Sequence, residues 1–231
     1  LLNNKIDIAV HSLKDVPTLL PKGIEIKAVL SRGNPFDIMV HNSSFKGWKT
    51  HTSIGSGSLR RKAQWLRKHP EHQVESLRGN LHKRLEKLHN SNWSGAIFAK
   101  AGLERLNLLK NNHEVLDWMI PAPAQGIVGI ASLESNKELQ SVLKKINCEE
   151  TAMCAEIERS FLSTLEGGCT APIGSHAYCI NKTIYFKGGL YSLDGTIAIV
   201  CKKQIPLSNT HSFGINAAHD ILSKGGKELM K

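Results

Sequence analysis

Eight arginines occur in the chain, and six of them, Arg60, Arg61, Arg67, Arg78, Arg84 and Arg105, fall between positions 56 and 105. That stretch holds eleven Lys and Arg against four Glu and no Asp, a local net charge of +7. A solvated basic face would be served as well by Lys. The planar fork of Arg matches a carboxylate or phosphate, so the bias favours an anionic ligand. Gly55-Ser56-Gly57-Ser58-Leu59-Arg60-Arg61 sets a Gly/Ser loop before a helix whose first turn carries two arginines. Cations at the positive end of a helix dipole are unfavourable unless an anion sits there too. Arg78-Gly79-Asn80 repeats the arrangement, with Asn80 placed to cap the next helix and Arg84 one turn in.

Two further residues stand out. Asp15 follows Lys14 in a polar loop after an apolar strand, a place where α/β folds present functional groups and where a turn-forming Asp is also common. The preceding His11-Ser12 pair has no partner base and points to opposite sides of an extended segment, so nucleophilic catalysis there is discarded. Cys169 lies in Glu166-Gly167-Gly168-Cys169-Thr170, just past an expected helix end. Cys154, Cys179 and Cys201 sit inside helix or strand patterns and read as core residues, whereas an accessible Cys169 thiol is a nucleophile or an attachment point.

The elements that must position these groups follow from periodicity. Strands are expected at Lys5–Val10, Gly23–Leu30, Asp37–Val40, Ser53–Gly55, Gln73–Leu77, Gly95–Ala99 and Ile127–Ala131. Helices are expected at Leu59–Lys68, Leu81–His89, Leu103–Lys110, Lys137–Ile146 and from Glu149 through Met153, Ile157, Phe161 and Leu165, ended by Gly167-Gly168. Short strands alternating with helices imply a parallel or mixed sheet. The last third reads as a β-meander, His176–Ile180, Thr183–Leu190 and Thr196–Lys203, closed by an amphipathic helix from about Ser212 to Met230.

Composition bounds the function. With 231 residues, 41% apolar and 22% charged, the chain is neither disordered nor, lacking an apolar run of about eighteen residues, a membrane-spanning protein. Five cysteines without a CxxC pair argue against a disulfide framework or a zinc site, and a reducing cytoplasm is expected.

The motifs His11-Ser12-Leu13-Lys14-Asp15-Val16-Pro17, Gly55–Arg61, Ser76-Leu77-Arg78-Gly79-Asn80, Ala101-Gly102-Leu103, Pro123-Ala124-Gln125-Gly126 and Leu165–Cys169, in this order, resemble those of the porphobilinogen deaminase (hydroxymethylbilane synthase) family. The resemblance implies a transferase of tetrapyrrole biosynthesis that joins four porphobilinogen molecules head to tail, releasing ammonia, on a dipyrromethane cofactor. It implies two α/β lobes like those of type II periplasmic binding proteins and a small α+β third domain. The expected division is 1–34 with 121–147, then 35–120, then 148–231, with the first lobe incomplete at its N-terminus because family members carry several dozen residues more there. By the same resemblance Cys169 holds the dipyrromethane through a thioether and Asp15 is the catalytic carboxylate. Ser12, Lys14, Ser58, Arg60, Arg61, Arg84 and Gly168 would bind the cofactor, and Ser56, Arg78, Asn80, Arg105 and Gln125 the substrate. The expected enzyme is a monomer of the cytoplasm, or of an organelle stroma in a plastid-bearing organism, without metal, nucleic acid or membrane partner.

Two other classes compete. A solute-binding protein for an anion would explain the arginines but not Glu166–Cys169. A nucleic-acid-binding module would explain the net charge of +10, yet Trp65, Trp93 and Phe98 are the only Phe, Trp or Tyr residues in the Arg-rich stretch.

Overall fold

The computed structural model describes residues 1–3, 5–165 and 171–230. From the amino end, β1 (Ile8–Ser12) passes through one 3-10 turn, Leu13–Asp15, and the chain returns as β2 (Ile24–Val29). There follow β3 (Asp37–His41), β4 (Ser53–Ser56), α1 (Leu59–Lys68), β5 (Gln73–Ser76), α2 (Leu81–His89), β6 (Gly95–Ala99), α3 (Lys100–Arg105) and β7 (His113–Val115). The chain then crosses back into β8 (Val128–Leu133), α4 (Lys137–Ile146) and α5 (Glu149–Leu165), and ends with β9 (Ile173–Ile180), β10 (Thr183–Tyr191), β11 (Ala198–Pro206) and α6 (Phe213–Ile221).

Three sheets result. β1, β8 and β2 form an antiparallel sheet in the order β1-β8-β2, and β9, β10 and β11 form an antiparallel meander. Between them in sequence lies a mixed five-stranded sheet, β5-β4-β6-β3-β7, in which β4 runs parallel to both β5 and β6 while β3 is antiparallel to its neighbours. Alternation along β3 and β6 feeds two cores. Ile38, Val40, Ala96 and Phe98 pack with Leu81 and Leu85 of α2 and Leu103 of α3, while Met39 and Ile97 face Trp65 of α1 on the other side. Helices therefore cover both faces, as parallel crossovers require. The third core gathers Ile157, Phe161 and Leu165 of α5 with Ile184, Phe186 and Leu190 of β10 and Ala217 and Ile221 of α6.

Some expectations need correction. The first strand, Ile8–Ser12, starts three residues later and ends two later than Lys5–Val10. The helix expected at Leu103–Lys110 is instead Lys100–Arg105, because Asn107 takes a left-handed conformation, φ +55°, that ends it. β7 was not foreseen. The terminal helix stops at Ile221 and continues only as a π turn and a 3-10 turn, since Gly225 adopts φ +96°. Glycine tolerates that conformation and a helix does not.

Candidate active site

Arg60 and Arg61 occupy the first turn of α1, capped by Ser58, whose side chain accepts from the Arg61 amide. The anion they need is supplied by the chain itself. Asp37, the first residue of β3, is fully buried, and its Oδ2 accepts from Arg60 Nη1 at 2.7 Å. Asp37 Oδ1 accepts from Arg61 Nε at 3.0 Å, Arg61 Nη2 at 2.8 Å and Gln125 Nε2 at 2.9 Å. Both guanidiniums are themselves buried and are fixed further by carbonyls: Arg60 Nη1 donates to Ile120 O and Arg61 Nη1 to Ile97 O. Burial alone would raise the Asp37 carboxyl; the two guanidiniums and their bonds hold it well below the usual carboxylate range.

The turn after β1 is tied into this cluster. Lys14 Nζ donates to Gln125 Oε1 at 3.4 Å, so Gln125 bridges Lys14 to Asp37. Burial and the nearby Arg61 charge push the Lys14 amine down to about 8, against the pull of Asp15 and Asp37. Asp15 is exposed at the end of the turn, and among the described residues its carboxylate takes no hydrogen bond. Ser12 precedes the turn without capping it.

The β4–α1 and β5–α2 loops meet beside α1. A Cβ on Gly57 would lie 2.3 Å from Leu77 O and 3.5 Å from Arg78 Cδ, so only glycine lets the two loops approach this closely. Arg78 is exposed there, and Arg84, half-buried, donates from Nε to Gly79 O at 2.7 Å while its charge reaches Arg61. Asn80 is exposed and spends its side chain capping α2 through the Lys83 amide. Ser56 and Gln125 are buried, with 6% and 1% exposure, and bond within the chain; Ser56 Oγ accepts from the Ser58 amide. Arg105 sits exposed at the end of α3, and among the described residues no contact ties it to the group.

Besides the pairing at Asp37, a second buried ion pair escaped the sequence reading. Glu158 of α5 is fully buried and binds Arg32 through both carboxylate oxygens, at 2.6 and 3.1 Å, and also accepts from the amides of Ala124 and Ala177. It thereby fixes the segment that carries Gln125. A charge one place beside the Met153, Ile157, Phe161 row was the only available signal. Gly168 and Cys169 lie outside the described residues. Cys154 and Cys201 are core residues as expected, and burial pushes the Cys154 thiol up to about 12.

The cluster of Lys14, Arg60, Arg61, Arg78 and Arg84 carries five positive charges against two from Asp15 and Asp37. Among the described residues, Arg60 Nε and Nη2 take no bond. Such a donor set fits a group bearing several carboxylates. The family profile described as "Porphobilinogen deaminase, dipyromethane cofactor binding domain" matches residues 1–141, and the one described as "Porphobilinogen deaminase, C-terminal domain" matches residues 152–223. The chain belongs to the porphobilinogen deaminase family. A porphobilinogen deaminase of Listeria monocytogenes serotype 4b is 39% identical over 233 residues, covering 98% of this chain and 75% of that protein. One from Campylobacter jejuni is 38% identical over 237 residues, covering 100% and 77%. Among solved structures, the BvgS VFT2 domain of Bordetella pertussis matches at 14% identity with a TM-score of 0.38, over 67% of this chain and 69% of that one, a likeness too distant to bear on the site. Among the described residues no helix is long and apolar enough to cross a membrane.

Proposed function

We propose that the Lys14–Asp15 turn and the Asp37-centred arginine cluster together carry out the porphobilinogen polymerisation of this family. The chain is a hydroxymethylbilane synthase, a transferase of tetrapyrrole biosynthesis with a dipyrromethane cofactor domain. One observation supports the division of labour most: an exposed carboxylate, Asp15, stands next to a lysine that Gln125 links to two buried arginines.

In this reading Cys169 is the attachment point, with Gly168 next to it in sequence also binding the cofactor, and Lys14, Arg60, Arg61 and Arg84, with Ser12 and Ser58 shaping the backbone around them, hold the carboxylates of the cofactor. When bound, the dipyrromethane supplies the pyrrole that the first porphobilinogen joins and keeps the growing product tethered. Arg78 and Arg105 take carboxylates of substrate or lengthening product, and Asn80, Ser56 and Gln125 act by fixing the loops from which those arginines and Lys14 project. Loss of ammonia from porphobilinogen leaves a cation shared with the pyrrole nitrogen. A fixed carboxylate at Asp15 stabilises that cation and assists proton transfer, while Lys14 and the arginines stay committed to anions. The three-domain division 1–34 with 121–147, 35–120 and 148–231 is supported by each part having its own sheet.

Asp15→Asn tests the assignment. The amide keeps the shape and loses the charge, so kcat should fall by about 10²–10³ while intact mass still reports the attached cofactor. Turnover near the parent rate would place the catalytic carboxylate elsewhere.

A further inference from the structure

We propose that Arg159 of α5 is a positioning residue for the reaction, holding the Lys14–Asp15 turn in its working shape through three backbone carbonyls. Its Nη1 donates to Leu13 O at 3.3 Å and Val16 O at 2.9 Å, and its Nη2 donates to Pro17 O at 2.6 Å. Those carbonyls flank Lys14 and Asp15 on both sides. Carbonyl dipoles pointing the same way repel one another, and a planar guanidinium is the side chain that satisfies several at once.

The two sides of this turn are held differently. Leu13 anchors the near side, with its side chain buried among Val29, Ala124, Ile127 and Ala155 and its amide donating to Ile127 O at 2.9 Å. Beyond it Val16 packs partly buried on the same core and donates its amide to Leu13 O at 3.2 Å, while Pro17 has no N–H to offer. Because the Asp15 carboxylate takes no bond of its own among the described residues, its direction is inherited from the backbone that Arg159 grips. Arg159 also sits next to Glu158, so one turn of α5 holds both the Asp15 turn and the segment carrying Gln125. The helix therefore sets the distance between the carboxylate and the arginine cluster. Misplacement of a reacting group by about 1 Å costs up to about 10²-fold in rate, which sets the scale of the effect.

This inference rests on the reading of Asp15 as the catalytic carboxylate, and the experiment separates the two. Arg159→Met, Arg159→Lys and Asp15→Asn are compared with the parent for kcat, KM for porphobilinogen and amide hydrogen exchange. Arg159→Met should lower kcat by about 10- to 100-fold with KM within about twofold, and should speed exchange at Val16 while α5 stays protected. Arg159→Lys, which keeps a cation able to reach one or two of the carbonyls, should recover part of kcat. Unchanged exchange at Val16 in Arg159→Met overturns the positioning role whatever Asp15 does. Faster exchange with parent kcat also overturns it if Asp15→Asn is inactive, since the grip is then dispensable. Faster exchange with parent kcat in both Arg159→Met and Asp15→Asn instead overturns the catalytic reading of Asp15, and the inference falls with it. A loss confined to KM overturns the inference as well, because it would place Arg159 in substrate binding.

Discussion

Asp37→Asn removes one charge from a site where, among the described residues, two guanidiniums have no other carboxylate. Four hydrogen bonds converge on the Asp37 oxygens, from Arg60 Nη1, Arg61 Nε and Nη2, and Gln125 Nε2, and all three partner side chains are buried. An amide offers one acceptor oxygen in place of two and turns an NH2 group towards N–H donors. Removing one partner of a buried ion pair leaves an uncompensated charge and costs about 3–5 kcal/mol. At about 2–4 °C per kcal/mol for a protein of this size, Tm should drop by about 6–20 °C. Calorimetry and urea unfolding measure it. Because the orphaned cations are the cause, adding Arg61→Met to Asp37→Asn should cost less than the two single losses summed, by about 0.5–3 kcal/mol. Acid unfolding supplies a second check. The folded carboxyl is held below its unfolded value, so the pair's contribution is complete above the ordinary carboxylate pKa and is lost only as pH falls below about 4 towards the depressed folded value. An Asp37→Asn variant within about 1 kcal/mol of the parent, or with an unchanged acid limb, would refute the argument.

Cys169→Ser should abolish the cofactor adduct in the intact mass and leave the far-ultraviolet circular dichroism unchanged; an adduct mapped to Cys148 or Cys154 would sink the attachment assignment. Lys14 should titrate near 8, against an ordinary value of 10.5, when followed by pH-dependent acylation and peptide mapping. Since the folded chain then binds fewer protons than the unfolded one between about 8 and 10.5, stability owed to this group should rise across that window, and a midpoint above 10 would contradict the burial argument.

Much of the fold was legible wherever a local device marked it. α1, α2 and α4 begin at Ser58, Asn80 and Asn136, each of which caps with its side chain, and their bounds read directly from the sequence. α3 has Ala99 in that position with no side-chain cap, and there the reading slipped. The arginine motif calls for an anionic ligand at the first turn of α1, whereas the carboxylate that meets Arg60 and Arg61 in the structure belongs to the chain itself. That the anion is Asp37 could not be read, because the contact joins positions more than twenty residues apart across a helix and a strand start. Glu158 was illegible for the same reason: its partners, Arg32, Ala124 and Ala177, come from three separate segments. Asp15 and Lys14 were readable as a chemical pair, but the restraint on them from α5 was not.

The way the C-terminal sheet is fastened bears on how the molecule can hinge. Near Gly33 and Gly126 two crossing segments join the β1-β8-β2 sheet to the five-stranded one, with the Gly33 amide donating to Gly126 O. The C-terminal part is attached to both sides. On one side it holds through Glu158, with two bonds from Arg32 and one from the Ala124 amide; on the other Ala63 and Ile120 pack on Tyr191 in a small buried contact, and Arg67 of α1 reaches the carbonyls of Gly195 and Thr196 nearer the surface. A rotation about the crossing segments must break one fastening; parting Glu158 from Arg32 would leave buried charges uncompensated, whereas the α1 side loses only a small apolar contact and Arg67 bonds that compete with water. The meander would then travel with the β1-β8-β2 sheet, keeping the grip of α5 on the Asp15 turn while α1 and its arginines swing as the separate leaf.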